Sequence, residues 1–216
     1  KADCMLKSSP PRLSEAEAMA ERCLAANPGG REALLLRYQA RKRSGNWSGA
    51  LLDLEAVHQA QDVRVTLEIG SLLLPLKRSQ EALQKANEVL ELEPFNAGAR
   101  RLAAQAKLAQ GDCAGVRRLM RSLLDVMPGL SWPHLLLARA AFLEGGAAAA
   151  LRELAPAFQG SAHLSAQAHG WKAVYLAALD RRRPMRRCLD RAVRLDPSRS
   201  WHARIADYDN DGWQDI

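Results

Sequence analysis

Short apolar helical stretches, each closed by a proline, set the rhythm of this chain: "AERCLAANP", "ANEVLELEP", "LLDVMP" and "RAVRLDP". Turn compositions interrupt the stretches at "SGN" (44–46), "KRS" (77–79), "QGD" (110–112), "EGG" (144–146) and "RRRP" (181–184). Between these signals the pattern predicts a lead-in helix at 13–26 and five helix pairs. The pairs are 31–43 with 47–60, 63–75 with 79–92, 97–109 with 113–126, 131–144 with 147–158, and 164–180 with 185–195. Ser14 is the expected N-cap of the lead-in helix, with Glu15 and Glu17 in the first turn, where the helix dipole favours carboxylates. Pro133 suits a first turn, because the amide it lacks would have no partner there. Pro75 should end its helix early, and Pro156 should kink or stop the helix it interrupts.

Pro28, Pro94, Pro128 and Pro197 are separated by 66, 34 and 69 residues, multiples of a unit of roughly 34. Small residues recur twelve and twenty-four positions before each closing position. They are Ala82 and Gly70 before Pro94, Val116 and Ala104 before Pro128, Ala150 and Ala138 before Ala162, and Ala16 before Pro28. Ala50 and Tyr38 precede Asp62, which stands in the proline's place, and Met185 and Ala173 precede Pro197. Two helices of a hairpin can approach closely only if small residues meet at their crossing; Tyr38 and Met185 are the large exceptions.

This register resembles the tetratricopeptide repeat, a helix–turn–helix of 34 residues with small residues at its eighth and twentieth positions and proline near its thirty-second. The family's Trp and Tyr positions are mostly Leu, Ala or Arg here, so the register carries the resemblance. It implies an all-α, right-handed superhelical solenoid. Residues 1–30 would form a half repeat or cap, 31–197 five pairs, and 198–216 a C-terminal extension.

In such a fold the first helix of each pair lines a concave groove used for protein recognition. Helical spacing then nominates Gln39, Lys42, Arg64, Glu68, Arg101, Gln105, Trp132, Arg139, Gln167 and Trp171. The set is more basic than acidic. Arginine captures carboxylates through two parallel hydrogen bonds, and tryptophan is a frequent interface anchor. The expectation is a non-enzymatic scaffold that binds an acidic or carboxylate-ended peptide or protein. Arg64, Arg101 and Arg139 would read carboxylates, and Trp132 or Trp171 would supply an apolar anchor. The alternative at any one position is a solvated helix face, or core for the two tryptophans. Some members of the family clamp a chaperone's carboxy-terminal tail with paired Lys and Asn residues; those Asn positions are not Asn here, so a chaperone-tail receptor is not expected.

The formal charge of +7 favours acidic partners but reads as too modest and too dispersed to imply nucleic acid by itself. Seven arginines fall in "RRRPMRRCLDRAVR" (181–194), either a solvated outer face or a docking patch for acidic surfaces or phosphates. No stretch of uncharged apolar residues reaches the length of a membrane span. None of the cysteines forms a CxxC pair. With helices about 8–10 Å apart, only Cys4 and Cys23 could form a disulfide; small apolar core positions are the other reading for Cys23 and Cys188. His58, His134, His163, His169 and His202 make no HExxH pair, and neither a phosphate loop nor a GxSxG elbow occurs, so no enzyme is expected.

After Pro197 the composition changes to "RSWHARIADYDNDGWQDI". Asp207, Asp209 and Asp211 alternate ahead of Gly212, the Trp213 carbonyl and Asp215, so that five oxygen ligands could converge on one hard cation. The string resembles the calcium-loop repeat of FG-GAP/VCBS type found in extracellular β-propellers, where the loop joins two strands of a blade. That resemblance implies Ca2+ in an intact parent protein and an extracytoplasmic or secreted setting. This chain would then be the helical-repeat segment of a calcium-binding assembly or adhesion protein.

Overall fold

The computed structural model describes residues 13–58 and 62–197. Ten α-helices and one 3-10 turn make up its regular structure, and no strand occurs among the described residues. They are α1 (Leu13–Ala26), α2 (Arg31–Ser44), α3 (Trp47–Val57), α4 (Val63–Leu73), α5 (Ser79–Leu92), α6 (Ala97–Ala109), α7 (Cys113–Val126), α8 (Pro133–Leu154), the turn Ala155–Gln159, α9 (Ala162–Ala177) and α10 (Arg182–Leu195). The chain divides into two compact units, one up to Gln110 and one from Gly111.

The helices start where side chains can satisfy their first amides. Asn46, Asp62, Asn96, Asp112 and Ser161 each accept a hydrogen bond from the backbone three residues on. α1 already begins at Leu13, so Ser14 lies inside the first turn with Glu15 and is not the cap. α4 stops at Leu73, ahead of Pro75, and Pro156 falls in the 3-10 turn that follows α8. α9 ends three residues earlier, and α10 starts three residues earlier, than the expected 164–180 and 185–195. Pro184 is compatible with this because it occupies the first turn of α10, where its missing amide has no carbonyl to meet.

α8 runs through the expected boundary between two helices, but it is not continuous. Gly146 has φ 74° and ψ −173°, a region open almost only to glycine. The backbone turns there, and the arms on either side are the two helices of one pair. The stretch Pro133–Gln159 is long and apolar enough by composition to cross a membrane. Its apolar side is occupied, however: Leu135, Ala138, Ala147, Ala150 and Leu154 lie in the core of the second unit.

In the first unit α1 packs on α2, α2 on α3, α3 on α4, α4 on α5 and α5 on α6. In the second unit α7 packs on α8, α8 on α9 and α9 on α10. The small residues sit at these crossings. Ala16, Ala50, Ala82, Ala104, Val116, Ala138, Ala150 and Ala173 are all fully buried. A Cβ on Gly70 would stand 2.3 Å from Leu102 Cδ2, so the bare glycine leaves room for that buried leucine of α6 against α4. Of the two exceptions, Tyr38 is buried and Met185 is half-buried. The core of the second unit also holds an aromatic stack: Phe142 and Trp171 flank Tyr175 at 5.0 and 6.0 Å.

A buried ionic cluster in the first unit was not foreseen. Asp53 on α3 is 1% exposed. Its Oδ1 accepts from Arg37 Nε and Nη2 at 3.0 and 2.7 Å, and Arg41 Nη1 reaches both carboxylate oxygens at 3.2 and 3.1 Å. Arg41 also donates to Glu17 on α1 at 2.7 Å. Asp53 thus ties α3 to α2, and Arg41 carries the cluster on to α1 through Glu17.

Among the cysteines, Cys23 is a free and exposed thiol, which corrects its reading as a core residue. Cys113 is buried and Cys188 half-buried, both free, and burial raises the pKa of each thiol. Cys4 lies outside the described residues.

Candidate functional site

The first unit contains a cleft of about 850 Å³ whose walls are α2 and α4, the first helices of two neighbouring pairs. Leu35, Trp47, Leu54 and Val65 give it apolar surface. Arg31, Lys42, Arg43 and Arg64 surround that surface, with Asp62 and Glu68 as the only acidic lining residues. Four cations against two carboxylates leave the cleft positively charged.

Its polar wall is organised around Glu68. Lys42 Nζ donates to Glu68 Oε2 at 2.6 Å and to the Tyr38 hydroxyl at 3.1 Å, while that hydroxyl donates to Glu68 Oε2 at 2.7 Å. The Lys42 ammonium also lies 5.6 Å from the centre of the Tyr38 ring. Burial opposes ionisation of Glu68, but the hydrogen bonds from Lys42 and Tyr38 outweigh it and hold the carboxyl below its ordinary pKa. Burial likewise works against the Lys42 charge, and the bonds to Glu68 and Tyr38 win, raising its pKa. The Tyr38 hydroxyl is pushed up, first by burial and then by its bond to Glu68. The triad is thus a fixed, internally neutral wall. Arg31 is anchored by the Val57 carbonyl at 3.1 Å and Asp62 at 3.3 Å. Arg64 is exposed and pairs with no carboxylate among the described residues. It is the cation best placed to meet an incoming anion.

Of the groove residues expected from sequence, Gln39, Lys42 and Arg64 line this cleft together, with Glu68. Arg101 is exposed and Gln105 half-buried on α6, outside the cleft lining. Trp132 is half-buried at the start of α8. Trp171 is only 7% exposed and belongs to the core of the second unit, so it is not an open anchor. The Arg139 guanidinium lies over its ring at 4.8 Å, which accounts for the inward direction of that arginine. Gln167 is half-buried and hydrogen-bonded to His163 at 2.7 Å. Spacing did not nominate Arg31, Arg43 or Trp47. The signal available for Tyr38 was its size at a position that otherwise holds small residues. That side chain reaches past the crossing into the cleft wall.

A smaller cavity of about 370 Å³ in the second unit is lined by Arg117, Arg121 and Arg152 with Glu144 and Glu153. Arg117 is ion-paired to Glu144, and the lining is close to neutral. No group of three or more His, Cys, Asp or Glu side chains among the described residues could hold a metal ion. Asp207, Asp209, Asp211, Trp213 and Asp215 lie outside the described residues.

No protein-family model matches the sequence, and no curated protein does. Solved structures do. A tetratricopeptide repeat protein from Parabacteroides merdae superposes with a TM-score of 0.78 at 17% identity, over 90% of this chain and 77% of its own. The thermophilic repeat protein TTC0263 of Thermus thermophilus gives 0.68 at 16% identity, over 82% and 98%. PilW, a type IV pilus biogenesis factor, gives 0.60 at 17% identity, over 90% of each chain. At these identities the likeness concerns the fold alone: all-α, built of helix–turn–helix repeats of the tetratricopeptide solenoid type. The resemblance of residues 205–216 to a calcium loop rests on the sequence alone.

Proposed function

We propose that the chain is a non-enzymatic protein-interaction module that holds an acidic peptide segment in the cleft between α2 and α4. The observation that carries the reading is the composition of that cleft. It has an apolar floor for one or two anchoring side chains and an exposed guanidinium at Arg64. Its Lys42–Glu68–Tyr38 wall satisfies its own charges and needs no ligand to do so. A volume of about 850 Å³ accommodates a few residues of extended chain. Arg64 offers donors to a carboxylate and the apolar floor takes an apolar side chain, so the expected ligand combines the two.

Selection from a random peptide display library on the wild-type chain tests this. Enriched peptides should carry Asp or Glu beside an apolar residue and should lose at least tenfold in affinity for Arg64→Glu. Peptides that bind Arg64→Glu as tightly as wild type would place the recognition elsewhere.

The calcium motif supports a second, compatible reading. Asp207–Asp215 would bind Ca2+ when continued into a strand, and the helical repeats would be the scaffold of an extracytoplasmic assembly. Calorimetry with millimolar CaCl2 on a chain extended through that strand would detect the site, and an absence of heat would remove this reading.

A further inference from the structure

The charge of this protein is not spread over its surface. Residues 181–194 hold seven arginines and one aspartate, so six of the seven net positive charges of the whole chain sit on α10 and its cap, and the remainder of the sequence is within one charge of neutrality. All seven, Arg181, Arg182, Arg183, Arg186, Arg187, Arg191 and Arg194, are exposed. The helix is sharply two-sided. Leu189 and Ala192 are buried in the core of the second unit, and Met185, Cys188 and Val193 pack against that core. At 100° per residue the helical arginines cover about half of the circumference, opposite the core. Few are engaged. Arg182 meets Asp180 at 3.1 Å in a fully solvated pair, and Arg194 Nε donates to the Asp190 carbonyl at 3.2 Å. Arg183, Arg186, Arg187 and Arg191 pair with no carboxylate among the described residues.

We propose that this face of α10 docks the protein on an anionic phospholipid surface. Concentrating like charges on one helix face weakens the helix itself, and a plane of phosphates is the partner that relieves it. Guanidinium groups suit that partner because each can grip a phosphate through two hydrogen bonds. Single-stranded nucleic acid is held largely by stacking of its bases, and from Leu179 to Pro197 the sequence has no aromatic residue on which they could stack. The face also has no central apolar or aromatic anchor of the kind that dominates protein interfaces. Exposed leucines stand only at its ends, Leu179 at 40% and Leu195 at 37%, where they can touch the acyl boundary. The core already covers the apolar side of α10, so attachment is electrostatic and peripheral, without insertion of the helix.

Co-sedimentation of the full chain with vesicles tests the proposal. Binding is expected to vesicles of phosphatidylglycerol mixed into phosphatidylcholine and not to phosphatidylcholine alone. It should fall steeply between 50 and 300 mM NaCl, as screening shortens the reach of each charge. Each arginine near the surface is worth about a fivefold change in partition, so Arg183→Gln/Arg187→Gln/Arg191→Gln should lose about a hundredfold. These side chains are exposed, and unchanged helical circular dichroism will show that the fold is kept. Equal binding to both vesicle types would overturn the proposal, as would retention by the triple variant or insensitivity to salt. Tighter binding to duplex DNA or to a polyglutamate peptide than to the anionic vesicles would also overturn it and assign the face to that partner.

Discussion

Replacing Asp53 with alanine removes the acceptor of four charge-assisted hydrogen bonds from a site that is 1% exposed. The arginines it serves remain. Arg41 keeps Glu17 at 2.7 Å and Glu21 at 3.6 Å, but Arg37 has no second carboxylate in the cluster. The two guanidinium side chains are 22% and 16% exposed, so they recover part of their hydration and the penalty is not that of fully buried charges. Breaking a buried pair by deleting one partner costs about 3–5 kcal/mol; partial exposure and the remaining glutamates point to the lower end, about 3 kcal/mol. With a urea slope of about 2 kcal/mol/M, the midpoint for the first unit should fall by about 1.5 M at unchanged slope. Urea unfolding followed by far-ultraviolet circular dichroism measures this. A cycle with Arg37→Ala isolates the coupling, expected above about 1.5 kcal/mol. A midpoint shift below 0.3 M, or additive single effects, would show that the cluster contributes no more than a surface pair and would refute the reasoning.

Other consequences are open to the same methods. Gly146→Ala forces a side chain into a backbone region that excludes one and should destabilise the second unit by about 1–3 kcal/mol. Gly70→Leu must displace Leu102 and the Lys85 stem and should cost about 3 kcal/mol, whereas a leucine at exposed Gln84 should be close to neutral in the same urea titration. Burial holds the His134 and His169 imidazoles below their ordinary pKa of 6.5, and the charges of Arg191 and Lys172 add to this at His169. The unfolded chain therefore takes up protons that the folded chain refuses. Stability is retained above pH 6.5 and lost as the pH falls through it, and His134→Gln/His169→Gln should flatten that dependence between pH 7.5 and 5.5. Glu68, held below 4.5, should keep its wall intact until the pH falls below that value, which is visible as loss of the Lys42–Glu68 pair in NMR titration.

Helix positions were legible because the information is local. Prolines that cannot continue a helix and glycines at turns act over three or four residues, and small residues mark crossings at a fixed interval. The break at Gly146 was visible for this reason even though the two arms of α8 run together. The Asn and Asp caps were not picked out, and Ser14 was named in their place. The start of α10 moved earlier because Pro184 is permitted in the first turn of a helix, and α9 stops before Asp180, whose φ of 52° is not helical. The candidate site was legible only in part. Spacing placed Gln39, Lys42 and Arg64 on one side of their helices, and these do meet in the cleft. Helical spacing nominated Trp171 as well, but its face of α9 packs into the core of the second unit, with Arg139 over the ring. The Asp53 cluster could not be read from the sequence. Its arginines precede it by 12 and 16 residues, and only the packing of α3 on α2 reveals that one carboxylate faces both.

The proposed function stands or falls on whether ligand occupies the cleft between α2 and α4. The most direct measurement places a photo-crosslinking amino acid at Gln39, inside the cleft, and separately at Leu52, which is 65% exposed and not part of its lining. With an acidic peptide selected on the wild-type chain, crosslinking from position 39 should be strong and should disappear when Arg64→Glu is added, while position 52 stays silent. Equal crosslinking from both positions, or crosslinking at 39 that survives Arg64→Glu, would contradict it.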